Sequence, residues 1–248
     1  MSDAIRVTEL TVETAACWSC GEMRAAQFCI ACGKVQPPKP VDHFTFFGLP
    51  RKLNIDTALL EKEFHELSRK LHPDLHAQQN SQEQAWSLEQ SSLLNDAYRI
   101  LKDPIKRTEY LLKLEGVELE EQSKSATDAA RATGEVKKQV VPPDLLEEVF
   151  DLNEDLEELR AQKKAGEDNP ALVEELGRHK LELEERYEAL LGELKGQWNE
   201  WDKALDSGDE QKLRQARDKM VDLLNRRNYF RNLIKTVEEV LDTESLSH

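Results

Sequence analysis

The sequence predicts an all-α protein, and three observations support this. Hydrophobic residues make up 39% of the 248 residues and charged residues 33%, a balance typical of helices with one buried and one hydrated face. Only 10 glycines and 9 prolines interrupt the chain, and segments rich in β-branched and aromatic residues are almost absent. From Leu60 onward, apolar residues recur three and four positions apart, which is the helical period.

Charge and targeting signals limit the partners that we expect. The net charge of -15 argues against general binding to nucleic-acid backbones or anionic membranes, both of which need basic protein surface. No apolar run approaches the roughly 20 residues that span a bilayer. The N-terminal residues show neither a secretory signal nor an Arg-rich transit peptide, so we expect a cytoplasmic protein without nucleic-acid or membrane partners.

The first segment, residues 1–36, contains all four cysteines, as two Cys-x-x-Cys pairs: Cys17 with Cys20 and Cys29 with Cys32. Four thiolates suit tetrahedral zinc and leave no open coordination position, which predicts a structural metal and no metal catalysis. The glycine after each pair allows a turn that points backbone amides at the sulfurs. The segment has almost no apolar core, so its fold should depend on the metal. Another metal such as iron, a redox pair or disulfides are the alternatives.

Residues 37–41 form a stiff, Pro-rich spacer, and residues 42–116 show helical stripes. One stripe should end near Leu71, because Pro73 disfavours helical geometry at the residue before it. The next should end at Asp103-Pro104, and a short amphipathic helix should stop at Gly116. Residues 120–140 are small and polar, which predicts a linker over 117–141, with a frayed helix as the alternative.

Residues 142–248 predict an antiparallel three-helix bundle, although a plain coiled-coil hairpin would show similar stripes. Its helices should begin near Pro142-Pro143-Asp144, after Asn169-Pro170 and near Glu210, and end before Gly166, near Asp206 and at Leu241. We expect Trp198 and Trp201 in the core of this bundle.

The first bundle helix carries two apolar faces. A buried stripe steps by four and three residues through Leu145, Val149, Leu152, Leu156 and Leu159. Leu146 and Phe150 lie about 100° away from this stripe, four residues apart and flanked by acidic residues. An apolar pair outside the core stripe suggests a partner site, and packing inside the bundle or under the preceding domain is the alternative.

His72-Pro73-Asp74 follows a helix that ends in Arg69-Lys70-Leu71, and a short Phe-rich helix (Phe44, Phe46, Phe47) precedes it. This arrangement resembles a J domain. The resemblance implies that the turn docks on a DnaK-type chaperone ATPase and stimulates ATP hydrolysis. His72 and Asp74 would make polar contacts and Pro73 would hold the turn in shape. The basic docking face would consist of Lys62, Arg69 and Lys70. An ordinary helix stop and a metal site that includes His76 are the alternatives.

The string from Pro104 to Gly116 resembles the HscB family of J-domain co-chaperones in iron–sulfur cluster assembly, as does the helical C-terminal part. The Cys-Trp-x-Cys hairpin resembles the N-terminal extension of some members. The resemblance implies that an IscU-type cluster scaffold docks on the first bundle helix, with apolar contacts from Leu146 and Phe150. Acidic contacts would come from Asp151 and Glu154, and a further contact from Tyr229. For Tyr229, a place inside the bundle is an equal alternative.

We therefore expect an adaptor and not an enzyme: a co-chaperone that binds the scaffold, delivers it to the chaperone and stimulates its ATPase. A J-domain co-chaperone for another client, a Cys-x-x-Cys oxidoreductase and a structural coiled coil are the alternatives. Dimerisation through the cysteine hairpin stays open.

Overall fold

A computed structural model of the chain describes residues 16–23, 27–117, 119 and 143–242. Over these residues the structure is helical without a strand, apart from one isolated antiparallel bridge between Phe28 and Val35, so the all-α prediction is confirmed. The helices are α1 (His43–Phe46), α2 (Thr57–Leu71), α3 (Ser81–Lys102), α4 (Pro104–Leu114), α5 (Leu146–Ala165), α6 (Pro170–Ser207) and α7 (Glu210–Leu241). Short 3-10 turns lie at Pro73–His76 and Pro143–Leu145.

The helix ends follow from local chemistry that is visible in the sequence. Asp56, Asn80 and Asp103 cap α2, α3 and α4, and each side chain accepts hydrogen bonds from two backbone amides of the first turn. Helix α2 ends at Leu71, as the following His-Pro step requires. Helix α5 ends where Gly166 adopts a left-handed conformation with φ 75°.

The chain divides into two compact units. The first combines the described residues up to Gly116 with Trp201–Leu213, and the second contains the described residues of Val117–Glu200 and Arg214–His248. In the first unit, Phe46, Leu71, Leu94 and Ala97 form a core cluster together with Val35 from the cysteine hairpin.

The end of α6, the turn after it and the start of α7, Trp201–Leu213, belong to the first unit. The indole of Trp201, which is 2% exposed, donates a 2.9 Å hydrogen bond from Nε1 to the carbonyl oxygen of Arg51. The expectation that Trp201 lies in the bundle core is therefore wrong, because this position of α6 lies beyond the part that packs in the bundle. Trp198, one turn earlier, is buried and belongs to the second unit, but the core cluster of the bundle does not include it.

The second unit is a three-helix bundle. Its core contains the complete predicted stripe of α5, including Leu152 and Leu156, packed with Leu172, Leu176 and Leu183 of α6 and with Phe230, Leu233 and Val237 of α7. The predicted helix ends at Gly166, Pro170, Glu210 and Leu241 agree with the structure to within about one residue.

Several predicted features fall outside the described residues: residues 1–15 and 24–26 of the predicted hairpin segment, nearly all of the predicted linker 117–141, and Pro142. The predicted domain boundaries, with a hairpin over 1–36 and a bundle from 142, accordingly stay predictions. Within the described residues, no helix combines the length and the apolar character that a membrane span requires.

Candidate metal centre and interaction surfaces

The four cysteine sulfurs lie within 4.8 Å of one another. The Sγ atoms of Cys17 and Cys32 are 3.6 Å apart, as are those of Cys20 and Cys29. Tetrahedral zinc with Zn–S bonds of about 2.3 Å places its sulfurs about 3.8 Å apart, whereas a disulfide joins them at about 2.05 Å. The spacing fits four thiolates around one ion, and all four thiols are free of disulfides.

The two Cys-x-x-Cys segments fold as equivalent turns. Cys17 receives a hydrogen bond at its carbonyl from the Gly21 amide and Cys29 receives one from the Gly33 amide, both at 2.9 Å. Gly21 and Gly33 have φ of 77° and 71°, a left-handed conformation that other residues rarely adopt. The amides of Ser19 and Ala31 lie 3.4 Å from the Cys17 and Cys29 sulfurs, so backbone donors offset negative charge on them.

The thiol pKa values shift in opposite directions within this cluster. Burial raises the pKa of Cys17, but hydrogen bonds from the amides of Cys20 and Ser19 and from neighbouring thiols lower it to about 6. For Cys20, the Glu22 amide lowers the pKa, but desolvation and the three other thiols raise it to about 12. Four thiolates this close repel one another, and a bound cation would remove this repulsion.

Gln36 and Trp18 support the cluster, and the sequence analysis did not identify them. The side chain of Gln36, which is 4% exposed, donates to the Cys17 sulfur at 3.4 Å and to the Lys34 carbonyl at 2.7 Å. The Trp18 indole donates to the Val35 carbonyl at 2.8 Å and its ring packs edge-on against Trp86 of α3. A tryptophan within a cysteine pair is the one sequence signal that indicates such packing.

The predicted chaperone-docking turn is exposed. The side chains of His72 and Asp74 are 55% and 90% exposed. The His72 Nδ1 atom accepts a hydrogen bond from the Asp74 amide at 3.3 Å and caps the 3-10 turn. The His76 Nε2 atom lies 3.0 Å from the Lys70 carbonyl oxygen, which ties the turn to the end of α2.

Helix α3 fixes the start of this turn. The hydroxyls of Ser87 and Ser91 both donate to the Leu71 carbonyl oxygen, at 2.7 and 2.8 Å. That carbonyl lacks its usual helical donor because α2 ends at Leu71. The predicted basic residues of α2, Lys62, Arg69 and Lys70, are all exposed, and the Lys70 ammonium group also lies 4.7 Å from the centre of the Phe28 ring.

The predicted scaffold-binding face on α5 is also exposed. Leu146 and Phe150 are 55% and 63% exposed, so the alternative of packing inside the protein is not observed. Asp151 and Glu154 are exposed beside them. A shallow depression of about 560 Å³ lies next to Phe150, and its other lining residues are Asn153, Glu154, Asp155, Glu157 and Glu158. The face is an apolar pair with an acidic border.

Tyr229 does not lie on that exposed face. Its side chain is 7% exposed and packs in the bundle core beside Phe230, which is the alternative that the sequence left open. Burial, and to a lesser degree the charge of Glu148, raise the pKa of Tyr229 to about 12. The burial of its ring leaves little surface for a partner, so Tyr229 is not part of the α5 face.

Comparisons with known proteins agree with this arrangement. Residues 42–110 match the DnaJ domain family. The chain is 36% identical over 145 residues, 58% of its length and 52% of the relative's, to "Iron-sulfur cluster co-chaperone protein HscB homolog" of Arabidopsis thaliana. It is 39% identical over 111 residues, 42% of its length and 47% of the relative's, to "Iron-sulfur cluster co-chaperone protein HscB" of Mus musculus. The chain thus spans about half the length of these curated relatives.

Two solved structures are similar over most of the chain. The crystal structure of human co-chaperone protein HscB matches with a TM-score of 0.54 and 25% identity, covering 91% of this chain and 98% of the human chain. The chaperone HscB from Vibrio cholerae matches with a TM-score of 0.53 and 25% identity, covering 82% and 99%. The predicted resemblance is therefore confirmed: residues 42–110 match the DnaJ domain family, and the chain is similar to HscB co-chaperones in sequence and in fold.

Proposed function

We propose that the protein is a co-chaperone that binds an iron–sulfur cluster scaffold of the IscU type and delivers it to a DnaK-type chaperone, whose ATPase it stimulates. The observation that carries the proposal is that a DnaJ domain with an exposed His72–Asp74 turn and a bundle with an exposed Leu146–Phe150 face belong to one chain. Relatives that carry the HscB name support the same role.

The turn and α2 suit docking on an acidic chaperone surface. Asp74 extends into solvent from a turn whose start is held by Ser87 and Ser91, so little conformational freedom is lost on binding. Lys62 and Arg69 supply positive charge that speeds encounter with an acidic partner. The ATP chemistry then belongs to the chaperone, and this chain acts by binding alone.

The α5 face suits a partner with an apolar contact and basic neighbours. Leu146 and Phe150 each offer an exposed apolar side chain four residues apart on one helix face. Asp144 and Glu148 already pair with Arg226 and Arg186, at 2.8 and 2.6 Å. For Asp151 and Glu154, the described part of the chain supplies no ion pair, which leaves these carboxylates for a partner's cations.

We propose zinc as the occupant of the thiol cluster, held by Cys17, Cys20, Cys29 and Cys32. The donor set of four thiolates at near-tetrahedral spacing supports a closed structural site. Bound there, the ion would fix the fold of the hairpin. Clustered cysteines that hold a metal are typical of a reducing compartment, and we propose a cytoplasmic setting on that basis. Metal analysis of the purified protein tests the assignment, and one tightly held iron per chain would contradict it.

Two variants test the two surfaces separately. Leu146→Ala and Phe150→Ala should each weaken scaffold binding about 10- to 100-fold in calorimetry, with ATPase stimulation unchanged in the absence of scaffold. Asp74→Asn should abolish stimulation and leave scaffold binding intact. Leu181→Ala is the matched control, since Leu181 is an equally exposed leucine, at 60%, on α6. Unchanged scaffold binding in both α5 variants would refute the assignment of this face.

A further inference from the structure

The cysteine hairpin contacts both ends of the loop that carries the His72–Asp74 turn. This turn loop, residues 72–80, connects the end of α2 at Leu71 to the start of α3 at Ser81. The contacts come from two hairpin residues next to the thiol ligands. Phe28 immediately precedes Cys29, and Lys34 follows Cys32 by two positions.

Phe28 holds the end of α2 that leads into the turn loop. The ammonium group of Lys70 lies 4.7 Å from the centre of the Phe28 ring, in a cation–π contact. The Phe28 ring also packs on the core cluster that contains Leu71, the residue directly before His72. The Gln27 side chain adds a hydrogen bond to the Phe46 carbonyl oxygen at 2.6 Å. The hairpin thus packs against the entry to the turn.

Lys34 holds the other end of the turn loop. Its ammonium group donates to Gln79 Oε1 at 2.8 Å and to both carboxylate oxygens of Glu83, at 3.0 and 2.9 Å. Glu83 is 2% exposed and lies in the first turn of α3. Asn80 caps α3 and also donates to Glu83 at 2.8 Å. A buried carboxylate requires such a counter-charge, and the hairpin supplies it.

The thiol cluster fixes the position of both hairpin residues. The Cys29 amide donates to the Lys34 carbonyl, and Phe28 forms the backbone bridge with Val35. Gln36 joins the Lys34 carbonyl to the Cys17 sulfur, and its own carbonyl accepts a 3.4 Å hydrogen bond from Gln90 of α3. Among the described residues of the hairpin, the buried cluster at the sulfurs consists of Cys17 and Cys29, so the ligands are expected to contribute much of the order in this part of the hairpin.

We propose that the cysteine hairpin positions the turn loop for chaperone docking, with Phe28 and Lys34 as the positioning residues. This inference rests on the proposed function. It also links metal occupancy to chaperone stimulation, because a hairpin without its metal would loosen the Phe28 and Lys34 contacts at the two ends of the loop and leave Glu83 without its cation. The Ser87 and Ser91 hydrogen bonds to the Leu71 carbonyl would remain. Neither residue has to touch the chaperone for this effect.

Amide hydrogen exchange on the full chain tests the proposal directly. Within the turn loop, the amides of Leu75, Ala77 and Gln79 donate to the carbonyls of His72, Asp74 and His76. In Lys34→Met, which keeps side-chain length but removes the charge, exchange at these three amides should be about tenfold faster or more. The concentration needed for half-maximal stimulation of a DnaK-type chaperone should rise about as much, since fewer molecules hold the docking conformation.

Two lysine variants serve as controls. Lys34→Arg keeps the cation and should retain most of the protection and stimulation. Lys39→Met removes an exposed lysine of the neighbouring Pro-rich segment and should change neither. If the three amides of Lys34→Met exchange at the wild-type rate, the proposal is wrong. It is also wrong if they exchange faster but the variant stimulates the chaperone as well as the wild type does. If the wild-type chain does not stimulate the chaperone, the proposed function fails, and exchange alone still decides whether the hairpin holds the loop.

Lys34→Met could lose protection from amide exchange throughout α3, and its effect on the turn loop would then not be specific. A second variant and removal of the metal test the inference in that case. Phe28→Leu keeps an apolar side chain but loses the ring under Lys70, so exchange in the turn loop should rise about two- to fivefold. Chelation of the metal under reducing conditions should accelerate exchange at the same three amides, with the bundle amide of Leu156 unaffected. Unchanged turn-loop exchange in both experiments would contradict the inference.

Discussion

Asp42 shows how single residues fix the DnaJ domain locally. Its carboxylate caps α1 and accepts 3.0 Å hydrogen bonds from the Thr45 amide, the Thr45 hydroxyl and Arg51. Burial raises the pKa of Asp42, but these donors and the Arg51 charge outweigh burial and hold it below the usual 3.8. Because the pKa is lower in the folded state, the charged carboxylate stabilises the protein above pH 4 or so, and this stabilisation is lost as pH falls through the folded-state pKa.

Replacing Asp42 should therefore change the acid side of the stability profile. In Asp42→Asn, the melting temperature should be lower at neutral pH but should decline less between about pH 5 and about pH 2. Asp96→Asn, which removes an exposed carboxylate 2.9 Å from Arg99, is the control and should leave the profile nearly unchanged. If the melting temperature of Asp42→Asn falls at acidic pH as steeply as that of the wild type, the Asp42 cap does not cause this pH dependence.

At the residue scale, the role of a residue could be predicted from the sequence where its neighbours along the chain determine that role. The cysteine pairs, the glycines after them and His72-Pro73-Asp74 are of this kind. Lys34, Gln36 and Glu83 are not, because their roles depend on contacts between residues up to 54 positions apart, such as Gln90 with Gln36. No local pattern distinguishes a lysine that neutralises a buried carboxylate from one that is solvated.

At the element scale, helix α5 separates two apolar faces by rotation alone. The stripe from Leu145 to Leu159 is buried, and Leu146 and Phe150, one position further on, are exposed. Helical period was enough to predict both faces, because one residue corresponds to about 100°. The same reasoning failed for Trp201 on α6. The helical period shows which face of a helix is buried, but it does not show where along a 38-residue helix the packing changes from one unit to the other.

The turn between α6 and α7 is held to the loop before α2 by Asp202. Its carboxylate accepts hydrogen bonds from the amides of Leu53 and Asn54, at 2.7 and 2.9 Å. Asp202→Ala leaves these two donors without their acceptor. It should lower the free energy of unfolding by about 1–3 kcal/mol, toward the low end because one of the donors is solvent-exposed.

Asp206 provides the matched comparison for Asp202. It forms an ion pair of 2.6 Å with Lys52, but its carboxylate is 64% exposed, so Asp206→Ala should cost only about 0–1 kcal/mol. Urea unfolding of the two variants measures both values. Equal losses in both would indicate that general acidic charge near Lys52, and not the hydrogen bonds to the backbone, holds this turn in place.

At the scale of the whole molecule, the proposed function depends on having two binding surfaces in one chain. Under that proposal, a scaffold bound at Leu146 and Phe150 would be present at high effective concentration for a chaperone docked at the His72–Asp74 turn, because the second binding event would be intramolecular. The net charge of -15 argues against general binding to nucleic acid. Helix α2 carries as many glutamates as cations, so Lys62 and Arg69 would act through direct contacts with a specific acidic partner and not as a basic patch.

The order of elements could be predicted from sequence because proline, glycine and capping residues define nearly every helix end. The division into units could not, because the segment Trp201–Leu213 belongs with the DnaJ-containing unit although its sequence continues the helices of the bundle. Long-range packing of this kind leaves no periodic signal. The proposed partners rest on resemblance to known proteins, because the residues alone do not specify which chaperone or scaffold would bind.

Trans-complementation in a chaperone ATPase assay tests most directly whether one chain must carry both surfaces. Phe150→Ala and Asp74→Asn each disable one surface, and the two variants are mixed with the DnaK-type chaperone and the scaffold. We expect the scaffold to enhance ATP turnover with the wild-type protein but not with the mixture, in which no molecule has both surfaces intact. Full wild-type turnover in the mixture would show that the surfaces act independently and would contradict delivery by a single adaptor.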